Sequence, residues 1–460
     1  MKSEHQSSFR DNSGFIYNEN DTFYRQINKS YKEHYEYLFS TGLYDKLVEN
    51  KQLIPHEEVL KDFVTKDGYK TILPTQLSFI NYPYCWSFSM LKDAALLTLN
   101  IQKTALKHNM ILKDASAFNI MFIGNSPIFI DTLSFEKYDD LSSWNAYGQF
   151  CRHFLAPLSL MSYTDISLNS LLISNLDGIE LELTTKILPF RSKFNLDLYI
   201  HLFLHNKSLK RFQGVTHSTS EKSSTKGNKN NIIRTIDHLI STIQGLTWKA
   251  ENTVWDGYYD KWVDSEYLKI KKQNVQQLLE KIPFKNTLLD LGANDGTFSF
   301  LATEQFENIL SFDIDPACVE QNYLFSKENK IQNLLPLIVD FTNPTPAIGW
   351  NNQERNSILE SIGEVDAIMA LAVIHHLCIG KNIPLTYLAS FFAKHCKYLI
   401  IEFVPKSDEK VKMLLQHRED IFDTYSLESF IEIFNTHFDI LQKTTLVPTE
   451  RVLFLMSNKI

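Results

Sequence analysis

Two regimes of hydrophobic patterning divide the chain. From about residue 287 onward, short apolar runs at 287–290, 309–313, 335–339, 366–370, 398–403 and 451–456 read as strands, with helical stretches at 266–281, 316–326 and 383–395 before or between them. Such alternation predicts a mainly parallel sheet, because parallel neighbours need a crossover connection between them. Before residue 213 the pattern is different. Residues 91–110 carry Ala94, Leu97, Ile101 and Ala105 on one helical stripe, followed by a strand at 120–123, a turn at Gly124-Asn125-Ser126 and a strand at 128–131. Upstream, 14–27 reads as a strand pair and 31–50 as the helix of a small upper lobe. Between the regimes, 213–231 crowds Ser, Thr, Lys, Gly and Asn with almost no apolar residue, the composition of a linker or surface loop. The expected organisation is an N-terminal α+β domain over 1–212, a linker over 213–231 and a C-terminal α/β domain over 232–460.

Composition agrees with two cores. The chain has 460 residues, 44% of them hydrophobic and 22% charged, near the averages of soluble globular proteins. Residues 1–14 are polar and lack the apolar core of a signal peptide, and no apolar run approaches the ~20 residues that span a bilayer. The five cysteines are scattered without a Cys-x-x-Cys pair, which argues against a disulfide framework and a thiolate zinc site. A cytoplasmic protein with reduced thiols is expected. The net charge of −8 gives no global attraction to phosphate backbones, so nucleic acid is not the expected partner. Nothing in the sequence sets the oligomeric state.

The chemistry of the C-terminal half begins at its first strand, which runs into Asp290-Leu291-Gly292-Ala293-Asn294-Asp295-Gly296, with a helix expected from about Thr297. Glycines at such a turn let a ligand approach the backbone where a side chain would collide. The second strand ends in Asp313, where a carboxylate can accept both hydroxyls of a ribose. The third ends in Val339-Asp340-Phe341, an acid for an adenine amino group and a ring for its face. This succession resembles the class I S-adenosylmethionine-dependent methyltransferases, over about 256–460. The resemblance implies a Rossmann-like, mainly parallel seven-stranded sheet and an enzyme using S-adenosylmethionine. It implies that Asp290, Gly292 and Gly296 hold the methionine part, Asp313 the ribose, and Asp340 with Phe341 the adenine. Asn294 stands where many members have a second glycine, and Asn tolerates positive φ better than most residues. The fourth strand, ending in Ala370 and leading to His375-His376-Leu377, resembles the segment that opens beside the sulfonium; a nicotinamide-dinucleotide domain, the competing reading of a glycine turn, has no need of it.

His375 and His376 are the candidate bases for a hydroxyl acceptor, since imidazole titrates in the useful range; helix capping or packing under the cofactor is the alternative. No metal is expected, because adjacent histidines do not readily share one ion and no acid lies at ligand spacing. Residues 255–262, rich in Trp and Tyr, are candidates for a lid over the acceptor, and 349–355 for the mouth of the crevice. Glu402 and Lys406 are further candidates to face the acceptor.

In the N-terminal half, Asp114, Asn119 and Asp131 fall at spacings of five and twelve residues around the predicted hairpin. This resembles the catalytic-loop region of protein kinases and small-molecule phosphotransferases, with Asp114 at the base position and Asn119 and Asp131 at the metal positions. There is no glycine-rich phosphate loop, and Arg25 is the nearest stand-in for the missing strand lysine. The expected role is a degenerate kinase-like scaffold that recognises substrate or partner, with a bifunctional kinase-methyltransferase and a non-catalytic cofactor sensor as rivals. The pairing of such modules resembles bacterial systems that modify surface glycans, pointing to a small-molecule or glycan acceptor and a sugar hydroxyl as the methylated group.

Overall fold

The computed structural model describes residues 4–139, 143–213, 229–250, 265–416 and 418–459. It divides into two compact units: Met1–Lys249 with Ala347–Asn356, and Ala250–Pro346 with Ser357–Ile460. Among the described residues, no helix is long and apolar enough to cross a membrane.

The first unit opens with four antiparallel strands, β1 (Gly14–Glu19), β2 (Thr22–Asn28), β3 (His56–Val59) and β4 (Gly68–Pro74), in the order β1-β2-β4-β3. The helix expected at 31–50 is two helices, Lys32–Ser40 and Leu43–Glu49, because Gly42 turns left-handed at φ +73° between them. Ile27, Tyr31, Tyr35, Ile72 and Leu133 form a core under this sheet. The long helix Phe88–Lys107 follows, then β5 (Met110–Leu112), the hairpin of β6 (Ile120–Ile123) and β7 (Ser126–Phe129), and β8 (Phe135–Lys137), which pairs with β5.

Helix Lys229–Gly245 belongs to this first unit, so the division falls at Lys249 rather than at residue 232. It buries Ile232, Ile236, Leu239 and Ile243, an i, i+4, i+7, i+11 stripe, and packs against helix Phe88–Lys107. Lys92 Nζ donates to the carbonyls of Gln244 (2.9 Å) and Leu246 (2.7 Å) at its C-terminus.

The second unit is built on a seven-stranded sheet: β9 (Thr287–Leu291), β10 (Asn308–Asp313), β11 (Leu334–Ile338), β12 (Val365–Ala370), β13 (Cys396–Phe403), β14 (Phe438–Thr445) and β15 (Val452–Asn458), in the order β11-β10-β9-β12-β13-β15-β14. The first five in this order run parallel, while β15 is antiparallel to both its neighbours. A dinucleotide-binding sheet of order 3-2-1-4-5-6 has no such reversed strand inserted after its fifth; this sheet is the class I methyltransferase arrangement. Leu288, Ile309, Ala367, Met369, Ile400 and Leu455 pack against Val275, Leu278 and Leu279 of helix Ser265–Glu280 in a continuous core. The helix expected from Thr297 is only the 3-10 turn Ser299–Ala302; Thr297, Phe298, Ser299 and Phe300 are weak helix formers.

Candidate cofactor site

At the end of β9 the backbone turns left-handed three times, at Gly292 (φ +75°), Asn294 (φ +52°) and Gly296 (φ +84°). The two glycines are required for different reasons. A Cβ on Gly292 would lie 2.4 Å from a methyl of Val373, in the segment after β12, whereas one on Gly296 would lie 2.6 Å from the Asn322 side chain. Asn322 belongs to a buried polar chain: its Nδ2 donates to Ser311 Oγ (2.7 Å), which bonds Ser299 Oγ (2.8 Å), which donates to Asp290 Oδ2 (2.6 Å). Burial pushes the Asp290 carboxyl up to about 7, against the opposing bond from Ser299.

The turn is tied to the neighbouring strand. Asp313 accepts the backbone N–H of Asn294 at Oδ2 (2.8 Å) and that of Asp315 at Oδ1 (2.8 Å). Burial raises its pKa, with those two bonds working in the opposite direction. Asp340, just past β11, accepts the N–H and Oγ1–H of Thr342 at one oxygen (2.8 and 2.6 Å). The Phe341 ring lies beside that of Phe312, with centroids 6.1 Å apart.

These groups converge on one cavity of about 310 Å³, lined by Gly292, Asn294, Asp313, Asp340 and Phe341 among others. Of the remaining residues singled out in the sequence for the cofactor, Asp290, Gly296 and Ala370 do not line it. Asp290 and Gly296 hold the turn from behind, and Ala370 is buried in β12 with the cavity wall starting at Leu371. Ala372, in that wall, takes φ +54°, a conformation that costs about 1–3 kcal/mol for a residue with a side chain.

His375 and His376 both line the cavity, their rings 4.1 Å apart. His375 is 2% exposed and its Nδ1 is buried without a hydrogen-bond partner. Burial and then the neighbouring His376 hold His375 well below the ordinary imidazole range. Burial, followed by Arg451 and Lys410, brings His376 to about 4. Both rings are therefore neutral at pH 7.

Other candidates fall elsewhere. Glu402 is fully buried, paired with Lys271 Nζ (2.6 Å), Arg451 Nη1 (3.4 Å) and the Tyr267 hydroxyl (3.3 Å), so it does not face an acceptor. Lys406 pairs with Asp420 (2.8 Å) and is not in the cavity wall. The segment at 349–355 belongs to the first unit, where Glu354 accepts from Arg10 (2.8 Å) and the Arg355 guanidinium lies 5.0 Å from the centre of the Phe118 ring. It closes there as a hairpin, with Ile348 bridging Arg355 and Gly349 turning at φ +86°. Residues 255–262 lie outside the described residues. The charged residues of the cavity wall that the sequence did not flag are Lys381, Lys410 and Arg451. Arg451 opens the run read as the last strand, 451–456, and no motif marks it.

In the first unit, Asp131 caps the turn Thr132–Ser134, accepting from Leu133 N (3.1 Å) and Ser134 Oγ (2.5 Å), and pairs with Arg25. Burial opposes its ionisation, yet Arg25 leaves its pKa lowered. Asn119 Nδ2 donates to Ser134 Oγ (3.3 Å). Asp114 accepts from Ser116 N (2.9 Å) and Gln149 Nε2 (2.8 Å), and burial and then the Asp131 charge raise its pKa.

No family model matches the sequence. The chain is 32% identical over 456 residues to the nodulation protein NoeA of Rhizobium meliloti (strain 1021), covering 97% of this chain and 94% of that protein. Among solved structures, the N-methyltransferase NodS from Bradyrhizobium japonicum WM9, in complex with S-adenosyl-L-homocysteine, aligns at 11% identity over 43% of this chain and 90% of its own, with a TM-score of 0.33. The bifunctional kinase-methyltransferase WbdD aligns at 15% identity over 44% of this chain and 41% of its own, with a TM-score of 0.32. A S-adenosylmethionine-dependent methyltransferase from Clostridium acetobutylicum ATCC 824 aligns at 15% identity over 44% of this chain and 97% of its own, with a TM-score of 0.33. The strand order and the glycine turn, not these alignments, carry the fold: the second unit has the class I methyltransferase fold.

Proposed function

Because the chain belongs to the family of the nodulation protein NoeA and its second unit is a methyltransferase domain, we propose that it transfers a methyl group from S-adenosylmethionine to a hydroxyl of a small-molecule or glycan acceptor. The observation that supports this most is the convergence of Gly292, Asn294, Asp313, Asp340, Phe341, His375 and His376 on one cavity of about 310 Å³. In this reading the turn at Gly292 and Asn294 receives the methionine part, backed by Asp290 and Gly296, with Ala370 leading to the wall beside the sulfonium. Asp313 accepts the ribose hydroxyls on lone pairs that Asn294 and Asp315 leave open. Asp340 and Phe341 receive the adenine.

Bound S-adenosylmethionine supplies a methyl carbon already activated by its sulfonium, so positioning accounts for much of the acceleration. His376, neutral at pH 7, would accept the acceptor's hydroxyl hydrogen bond and take its proton as the oxygen gains the methyl carbon and the carbon–sulfur bond breaks, its electron pair leaving with S-adenosylhomocysteine. A base brought to about 4 suffices for this, since an oxygen that has just gained a methyl group is a far stronger acid than imidazolium. His375, packed on His376, fixes the orientation of its ring.

The first unit, in the same reading, is a kinase-like scaffold that recognises the acceptor or a partner without transferring phosphate. Arg25 and Ser134 occupy Asp131, and Ser134 occupies Asn119, where a metal would need both. Incubation with ATP and magnesium should release no phosphate above background; turnover that disappears in Asp131→Asn would establish the bifunctional rival. The methyl acceptor is sought with isotopically labelled S-adenosylmethionine and a cell extract, fractionated by size and nuclease sensitivity. Label in a small-molecule or glycan fraction is expected. Label in a nuclease-sensitive fraction overturns the acceptor class, and label nowhere, with cofactor bound, establishes the sensor reading.

A further inference from the structure

S-adenosylmethionine carries two cations, its sulfonium and its ammonium, and one anion, its carboxylate. The residues assigned to it above are acidic or neutral, so none supplies a side-chain cation for that anion. We infer that Arg451 receives the carboxylate of the methionine moiety, an inference that rests on the cofactor assignment.

Three observations carry it. First, Arg451 is a cavity-wall residue whose side chain is only 11% exposed, whereas Lys381 is exposed at the rim. Second, its guanidinium is braced along one edge and one corner. Nε and Nη2 donate to the two oxygens of Asp408 (2.8 and 3.2 Å), and Nη1 donates to Glu402 (3.4 Å). Asp408 is itself held as the cap of helix Glu409–Leu415, accepting the N–H of Lys410 (2.9 Å), and Glu402 is held by the buried Lys271. Nε and one N–H of each Nη are thus engaged, and the Tyr267 hydroxyl bonds the same guanidinium. The donor left on the Nη end makes a charge-assisted hydrogen bond to a carboxylate oxygen. Burial opposes the charge on Arg451, but Glu402 and Asp408 outweigh it, so the donor set stays protonated at any working pH.

Third, the strand order sets a direction along the cavity. Asp340 follows β11 and Asp313 ends β10, both on one side of the glycine turn of β9. On the other side lie β12, β13 and β15, and the pairing of Phe403 with Val452 brings Arg451 to the end of β13 that matches the glycine-turn end of β9. A cofactor with its adenine at Asp340 and its ribose at Asp313 extends its tail toward Arg451. The cluster of Arg451, Lys271, Glu402 and Asp408 balances two cations with two anions, so the wall is stable before the carboxylate arrives.

Calorimetry on the full chain tests this with two ligands: S-adenosylhomocysteine, and 5′-methylthioadenosine, which keeps the adenosine and sulfur but lacks the amino-acid tail. Arg451→Lys, which retains the charge but loses the guanidinium braced by Asp408 and Glu402, should weaken S-adenosylhomocysteine at least tenfold and leave methylthioadenosine within twofold. Arg451→Gln should do the same more severely; if it fails to fold, Arg451→Lys decides. S-adenosylhomocysteine affinity within twofold of the parent in Arg451→Lys overturns the inference. So does an equal weakening of both ligands, which marks a damaged wall rather than a lost carboxylate contact. A parent protein that binds neither ligand overturns the cofactor assignment itself, and the inference with it.

Discussion

Asp313 accepts two backbone hydrogen bonds before any ligand arrives, and this makes it a sharp probe. Its bonds from Asn294 and Asp315 fix the carboxylate against the glycine turn, so a ribose meets acceptors that need no reorganisation. Asp313→Ala removes the proposed ribose contact and one anchor of the turn together. Loss of charge-assisted hydrogen bonds of this kind costs on the order of 2–3 kcal/mol, which is roughly a 30- to 150-fold rise in Kd. Because methylthioadenosine and S-adenosylhomocysteine share the ribose, both should weaken equally, unlike the selective loss expected for Arg451. Calorimetry that finds either ligand within threefold of the parent would remove Asp313 from the ribose site.

Elements differ in how plainly the sequence announces them. Six strands of the second unit, the edge strand β11 among them, are apolar runs, since strands buried on both faces show no polar alternation. β14 has no such run: its burial alternates along Phe438–Thr445, with Asp439, Gln442 and Lys443 interleaved, as an edge strand half in water does. The glycine turn and the acids after β10 and β11 are local in sequence and were legible for that reason. Arg451 and its braces at Lys271, Glu402 and Asp408 come from four separate places in the chain, and no local pattern joins them. Helix Lys229–Gly245 shows the same limit. Its apolar stripe is not read as a helix from the sequence, and no local pattern says which unit it packs on. Part of that answer is a polar chain: Tyr147 Oη to His201 Nδ1, His201 Nε2 to His238 Nδ1, and His238 Nε2 to Asp197 Oδ1, each 2.7 Å. Every ring nitrogen is used once, and the chain can donate one way, from Tyr147 to Asp197. His238→Ala breaks two of the three links and leaves His201 Nε2–H buried without an acceptor, at a cost of about 1–3 kcal/mol. Hydrogen exchange in 229–245 should accelerate while S-adenosylhomocysteine affinity stays within twofold; unchanged protection of that helix would mean that the apolar stripe alone holds it.

At the scale of the whole molecule, the described histidines whose protonation is opposed by burial are distributed unequally, and acid should therefore act on the two units in sequence. In the first unit burial lowers His5, His34 and His205, brings His56 and His201 to about 4 and His153 to about 3. In the second it lowers His375 and brings His376 to about 4. Each such group binds its proton more readily in the unfolded chain, where imidazole titrates near 6.5. Its contribution is fully present above about pH 6.5 and is lost as the pH falls toward the folded value. For His56, His201 and His376 a folded value of about 4 amounts to roughly 3 kcal/mol each as an upper bound, large against typical stabilities of about 5–15 kcal/mol. Asp290 works in the opposite sense. Its folded value of about 7 lies above that of the unfolded chain, so the folded state gains relative stability as the pH falls below 7. Asp313 is raised as well, so two carboxyls oppose two histidines in the second unit; in the first, Asp114 opposes six. Carboxylates held by ion pairs, such as Asp131 and Glu402, enter only below about pH 4.5. Between pH 6.5 and 4.5, hydrogen exchange on the full chain should rise first across β1 to β8 and helix Phe88–Lys107, while β9 to β13 remain protected and S-adenosylhomocysteine still binds. Loss of protection in β9 to β13 at the higher pH would show that the raised carboxyls do not offset His375 and His376.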